Sequence, residues 1–137
     1  MKKIFQTRLN LNTMHFSLLL LRLTAGSFMI THGYPKLQRL MSGEFKFGDP
    51  LGLGPEISLV LVVFAEFFCS LLVIVGFGTR LATIPLMVTM AVAAFVSMGD
   101  APFAKKELAL IYLVSFSILF LTGSGKFSID RLIGKKV

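Results

Sequence analysis

Charged residues are scarce in this sequence, at 15% of its 137 residues. A soluble domain carries about 25% charged residues. Hydrophobic residues make up 55% of the chain, and the mean hydropathy is +0.80. This composition excludes an ordinary soluble domain and indicates a membrane protein.

Cysteine and histidine, the residues of many redox and metal centres, are also nearly absent. A single cysteine, Cys69, excludes an intramolecular disulfide and a CxxC redox pair within the chain. The two histidines, His15 and His32, do not lie at metal-ligand spacing, so no metal site is predicted. No cofactor is certain from the residues alone.

Basic residues exceed acidic ones, and the formal net charge is +7. The basic residues lie in the tails and loops between apolar runs, which is the topology signal of a membrane protein and argues against nucleic-acid binding. One end of the predicted bundle has a single acidic residue, Asp130. Its basic residues are Lys2, Lys3, Arg8, Arg80, Lys126, Arg131, Lys135 and Lys136. This bias predicts that both termini are cytoplasmic.

Four apolar runs predict an all-α membrane protein, an antiparallel bundle of four transmembrane helices that forms one domain over residues 1–137. The runs cover about 16–33, 57–77, 81–98 and 107–122. The first run is predicted to be a permanent span, because Arg22 interrupts its apolar character and no A-x-A cleavage site follows. Pro35 is predicted to end the first helix.

Two charged residues lie inside the predicted spans. An ionised carboxylate at the position of Glu66 would cost roughly 2.5–3.5 kcal/mol at bilayer depth. At 1.5 Å per residue, Arg22 and Glu66 lie roughly 10 Å and 16 Å from the same end. We therefore predict a buried polar pair of Arg22 and Glu66. The alternative for Arg22 is snorkelling towards the membrane surface.

A second polar cluster is predicted at the opposite end of the bundle. Its candidates for a pocket or for proton exchange are His32, Lys36, Glu107 and Tyr112. Plainer roles are open for two of them. His32 could be a hydrogen-bonded interfacial residue, and Glu107 could complement the dipole at a helix N-terminus. No residue is assigned as catalytic.

Five ordered segments give the chain a family resemblance between Leu21 and Ile133. They are LRLTAGSFMITHGYPKL, DPLGLGPEISLVLVVFAEFF, GFGTRLATIPL, KKELALIYL and GSGKFSIDRLI. Together they resemble the DoxX family of membrane proteins. The resemblance implies a four-helix protein of the bacterial inner membrane, and the positions that match family motifs are Arg22, Gly33, Lys36, Glu66, Glu107, Tyr112, Gly123, Gly125 and Asp130.

The resemblance also suggests a function. Some members are described as small subunits of quinone-linked oxidoreductases, such as thiosulfate:quinone oxidoreductase, or as partners of thiol and superoxide defence proteins. With one cysteine and no haem-like histidine pair, this chain would need a bound quinone or an oxidoreductase subunit as partner for redox chemistry. The resemblance thus makes a bound quinone or lipid the candidate cofactor. The leading hypothesis is a non-catalytic or co-catalytic subunit of such a system. The alternatives are a structural or assembly protein and a small-solute or proton transporter, in each case with homo-oligomers possible.

Overall fold

The computed structural model describes residues 4–5 and 7–135, and over these ranges the chain is helical without a strand. Its helices are α1 (Leu11–Ser42), α2 (Pro55–Val75), α3 (Thr79–Ser97), α4 (Phe103–Thr122) and α5 (Ile129–Gly134). The all-α prediction is therefore confirmed for the described residues.

Three of these helices, α1, α2 and α3, are long and apolar enough to cross a membrane. The fourth, α4, has 20 residues and begins with the charged residues Lys105, Lys106 and Glu107. It packs more extensively against α3 than against any other helix. Three helices thus meet the criteria of length and composition for a membrane span, and α4 is not among them.

The first helix is longer than predicted. Pro35 lies inside α1, which ends only at Ser42 with Gly43 in the left-handed conformation (φ 78°). A proline inside a helix removes one backbone hydrogen bond. Here the acceptor that loses its donor is the Thr31 carbonyl, and both Thr31 and Pro35 are exposed. The prediction that the helix ends at Pro35 was wrong because water or lipid head groups can reach the exposed turn.

The core is built from residues that are almost fully buried between the helices. It contains Leu59, Val63, Leu86, Phe116 and Leu119. Large apolar side chains also cover the outside of the bundle, including Phe28, Phe95, Ile111 and Leu121. Helices that are apolar on every side are typical of a protein surrounded by lipid.

Two segments depart from α-helical geometry and adopt π-helical turns. One is Phe64–Cys69 within α2, and the other is Ala93–Ser97 at the end of α3. Such turns widen the helix and occur frequently at functional sites. The segment in α2 contains Glu66, the one acidic residue inside the apolar part of that helix.

Candidate functional site

The centre of the candidate site is an ion pair between α1 and α2. Lys36 Nζ lies 2.6 Å from Glu66 Oε2, with side-chain exposures of 27% for Lys36 and 5% for Glu66. The Lys36 ammonium also lies 5.9 Å from the centre of the Phe47 ring, within range of a cation–π interaction. A charge-assisted hydrogen bond of this length is among the stronger polar contacts in proteins.

The predicted Arg22–Glu66 pair is therefore not formed. Both residues are buried, at 1% and 4% exposure, but Arg22 donates to four backbone carbonyls instead of to a carboxylate. Its partners are Val73 O at 2.9 Å, Ile74 O at 3.0 Å, Ser124 O at 2.5 Å and Phe127 O at 2.8 Å. The last carbonyls of a helix have no partner in the following turn of the helix, so Val73 O and Ile74 O at the end of α2 can accept from the guanidinium.

Arg22 lies at the end of the bundle where α1 begins, α2 ends and residues 123–134 fold back. We call this the tail end, and the opposite end, where residues 36–58 and 97–106 meet, the loop end. At the tail end Asp130 caps α3, since its carboxylate accepts from Gly78 N at 2.7 Å and Thr79 N at 3.1 Å. A carboxylate at a helix N-terminus is stabilised by the orphan N–H groups and by the helix dipole. The tail end is a network of structural hydrogen bonds.

The ion pair is held in place by a close approach of the two helix backbones. A Cβ atom added at Gly33 would lie 2.7 Å from the carbonyl carbon of Glu66 and 2.9 Å from Phe67 N. Only glycine permits that approach. Gly33 thus sets the separation of α1 and α2 at the π-helical turn, one helical turn before Lys36.

Replacing Gly33 with alanine is expected to destabilise the protein by about 1–3 kcal/mol, because the added methyl group meets backbone atoms that cannot rotate away. Unfolding in mixed detergent micelles, followed by circular dichroism, measures this effect. The control is Gly134→Ala, where nothing lies within 4 Å of the added Cβ. Equal stability of the two variants would contradict the close approach.

Two cavities share the ion pair as part of their wall. The larger, of about 290 Å³, lies between α2, α3 and the loop that follows α1. The smaller, of about 150 Å³, lies between α1, α3 and α4. Lys36, Glu66 and Ala93 line both. The ion pair can therefore contact a molecule on either side.

The larger cavity is mainly apolar. Its lining includes Phe47, Leu51, Leu61, Val88 and Val92, together with Lys36 and Glu66. The loop that covers it is tethered to α2, since Ser58 Oγ donates to Asp49 Oδ1 at 3.2 Å. Apolar walls with a few convergent polar groups are typical of small-molecule sites.

The smaller cavity brings together three of the four residues predicted to form the polar cluster, namely His32, Lys36 and Tyr112. The His32 and Tyr112 rings meet edge to face, with centroids 5.9 Å apart, and Tyr112 is buried. Glu107 is exposed and lines neither cavity. The structure therefore does not bring Glu107, the fifth residue of α4, together with the other three residues.

The partner of Glu66 was not predicted from the sequence, although the spacing of residues in α1 carried a signal for it. Arg22, Gly26, Met29 and Gly33 recur at helical spacing, and Lys36 is the next member of that stripe. Continuing α1 past Pro35 would have placed Lys36 on the face that packs against α2. The loop residues that cover the larger cavity carried no comparable signal.

A match to a known family covers most of the helices that form this site. The family model described as DoxX matches residues 17–99, more than half of the chain. The chain belongs to the DoxX family. This confirms the resemblance and, with three helices able to span a membrane, identifies an integral membrane protein.

One relative of this DoxX protein matches nearly end to end. "Inner membrane protein YqjF" of Escherichia coli (strain K12) is 29% identical over 124 residues, which cover 86% of this chain and 92% of the relative. No solved structure matches the chain significantly.

Proposed function

We propose that this DoxX protein is a non-catalytic or co-catalytic membrane subunit that binds the head group of a quinone in a redox-linked system. The observation that supports the proposal is the Lys36–Glu66 ion pair in the shared wall of two cavities. An intramembrane ionisable residue is by default a functional candidate. Because the chain has a single cysteine and thus no thiol pair, the electrons that reduce the quinone would come from a partner oxidoreductase subunit.

The residues of the larger cavity suit a quinone. Lys36 has three ammonium N–H groups and gives one to Glu66, so others are free to donate to a ring carbonyl. The leucine and valine walls suit an alkylated ring. The volume of about 290 Å³ is at the lower end of the range for ligand sites. A single-ring head group fits this site with its lipid tail outside.

A quinone takes up two electrons and two protons when it is reduced to a quinol, and this chain would serve the proton side of that exchange. In the proposal, Lys36 orients the head group, and Glu66 holds Lys36 in place and exchanges protons with it. His32 is exposed and lies beside Tyr112 in the smaller cavity. These two residues would connect the buried pair to the surface at the loop end.

The proposal includes a membrane arrangement. We place the protein in the bacterial inner membrane, as the name of its relative suggests. The fourth span would be α4, which is 20 residues long and thus about 30 Å, with Lys105 and Lys106 at the membrane surface. The tail end, rich in basic residues, would then face the cytoplasm.

Native mass spectrometry of the full-length protein released from gently extracted membranes tests the proposal. We expect a stoichiometric adduct of quinone mass on the wild type and at least a tenfold weaker adduct on Glu66→Gln, because loss of one interaction with a charged group costs about 1.5–3 kcal/mol. The matched control is Glu107→Gln, which removes an exposed carboxylate from the same end. A folded Glu66→Gln protein that retains the adduct as well as Glu107→Gln does would refute the quinone site.

A structural or assembly role is the second candidate, and the Arg22 network favours it. Four carbonyls from α2 and the tail accept hydrogen bonds from one buried guanidinium, an arrangement that joins helices and uses four of its five N–H groups. Phospholipid adducts alone, with a stable protein partner or a defined oligomer, would support this role in the same experiment.

A further inference from the structure

A third cavity lies at the tail end, remote from the ion pair. Its volume is about 440 Å³, and its lining includes His15, Ser124, Lys126, Arg131 and Lys135. The backbone of this tail segment is held by Arg22, since Ser124 O and Phe127 O accept hydrogen bonds from its guanidinium. Lys126 N also donates to His15 Nδ1 at 3.1 Å. The cavity is therefore built by contacts between α1 and the tail.

The cavity carries a net positive charge. Lys126, Arg131 and Lys135 are exposed, and within the described part of the chain none of them forms a salt bridge. The one carboxylate in the lining belongs to Asp130, and it already accepts from Gly78 N and Thr79 N. Three basic side chains of the described lining thus face one carboxylate, which is already hydrogen-bonded to the backbone.

Exposed apolar residues are next in sequence to residues that line this cavity. Phe127, Leu132 and Ile133 have exposed fractions of 49%, 66% and 48%. Leu132 and Ile133 belong to α5, and the basic residue Arg131 precedes them in the same helix. A short segment with basic and apolar residues side by side is suited to the membrane interface, where acyl chains and charged head groups meet.

We propose that this cavity binds the phosphate group of an anionic phospholipid, with the acyl chains against Phe127, Leu132 and Ile133. Basic pockets between transmembrane helices are suited to anionic head groups. Lys126 and Lys135 supply point charges, and Arg131 supplies a planar donor that binds phosphate through two N–H groups. Free phosphate shares this chemistry but would leave the apolar border without a partner.

The test uses the full-length protein in a neutral detergent, with phosphatidylglycerol and phosphatidylcholine of the same acyl chains as probes. Adducts are counted by native mass spectrometry across a lipid titration. The wild type is expected to bind phosphatidylglycerol in preference to phosphatidylcholine. Arg131→Gln is expected to weaken phosphatidylglycerol binding about fivefold, and the triple replacement of Lys126, Arg131 and Lys135 by glutamine on the order of 100-fold.

The control is Lys105→Gln, which removes an exposed charge at the loop end and is expected to leave binding unchanged. Since all the changed side chains are exposed, the variants keep the core, and circular dichroism verifies their helix content. Equal losses in Arg131→Gln and Lys105→Gln, or equal binding of the two lipids, would overturn the proposal. Displacement of the lipid by an equal concentration of inorganic phosphate would also overturn it and would indicate a site for a soluble anion.

Discussion

Replacing Arg22 with methionine is expected to lower the free energy of unfolding by at least about 3 kcal/mol. The substitution removes four hydrogen bonds to carbonyls of α2 and the tail, and each bond to a charged group contributes about 1.5–3 kcal/mol. The contributions of bonds made by one side chain do not add fully, so the sum of the four is an upper bound. Unfolding in mixed detergent micelles, followed by circular dichroism, gives the difference.

The matched control for Arg22 is Arg80→Met at the same end. Arg80 is exposed and makes one hydrogen bond, from Nη2 to Leu121 O at 3.3 Å, so its replacement is expected to cost less than about 1 kcal/mol. Arg22→Lys should recover part of the loss only, because an ammonium cannot reproduce the planar fork of the guanidinium. Equal stability of Arg22→Met and Arg80→Met would show that the network contributes nothing.

Replacing Lys36 with methionine is expected to destabilise the protein by about 3–5 kcal/mol. The change removes the partly buried Lys36 ammonium and leaves the buried Glu66 carboxylate without its counter-charge. Lys106→Met is the control, since Lys106 lies at the same end and donates only to Gly99 O, at 3.1 Å. The same unfolding measurement compares the two variants.

Removing both partners separates stability from function. The double variant Lys36→Met/Glu66→Leu is expected to regain most of the stability lost in Lys36→Met, because an apolar pair of similar volume often replaces a buried ion pair without net cost. The quinone adduct should stay absent, because the polar groups of the site are gone. A double variant that is as unstable as Lys36→Met would contradict the pairing, and one that regains the adduct would contradict the proposed role.

These two experiments address opposite ends of the molecule. At the tail end, Arg22 and Asp130 satisfy backbone groups and join helices that are distant in the sequence. At the loop end, Lys36 and Glu66 face cavities and retain capacity for a ligand. Replacement of Arg22 is therefore expected to lower stability without weakening quinone binding, whereas Glu66→Gln is expected to weaken quinone binding.

The sequence by itself determined that the protein is helical and apolar, that it belongs to the DoxX family, and that Arg22 and Glu66 are charged residues inside apolar runs. These conclusions follow from composition, hydropathy and ordered motifs, which are local properties of the chain. The tertiary structure decided which partners those residues find. Pairing between helices depends on their rotation, depth and separation, and here Gly33 and the π-helical turn at Glu66 set them.

The continuation of α1 through Pro35 was also decided by the tertiary structure. The low helix propensity of proline predicts a helix end, and it does not account for contacts that later residues of the helix make. The Lys36–Glu66 ion pair lies past that proline and adds a contact between α1 and α2 there. Similarly, the tail sequence showed basic residues but not their cavity, which exists because Arg22 fastens residues 124 and 127 to the end of α2. Long-range contacts of this kind have no signature in a single sequence, since the groups that meet Arg22 are between 51 and 105 residues away along the chain.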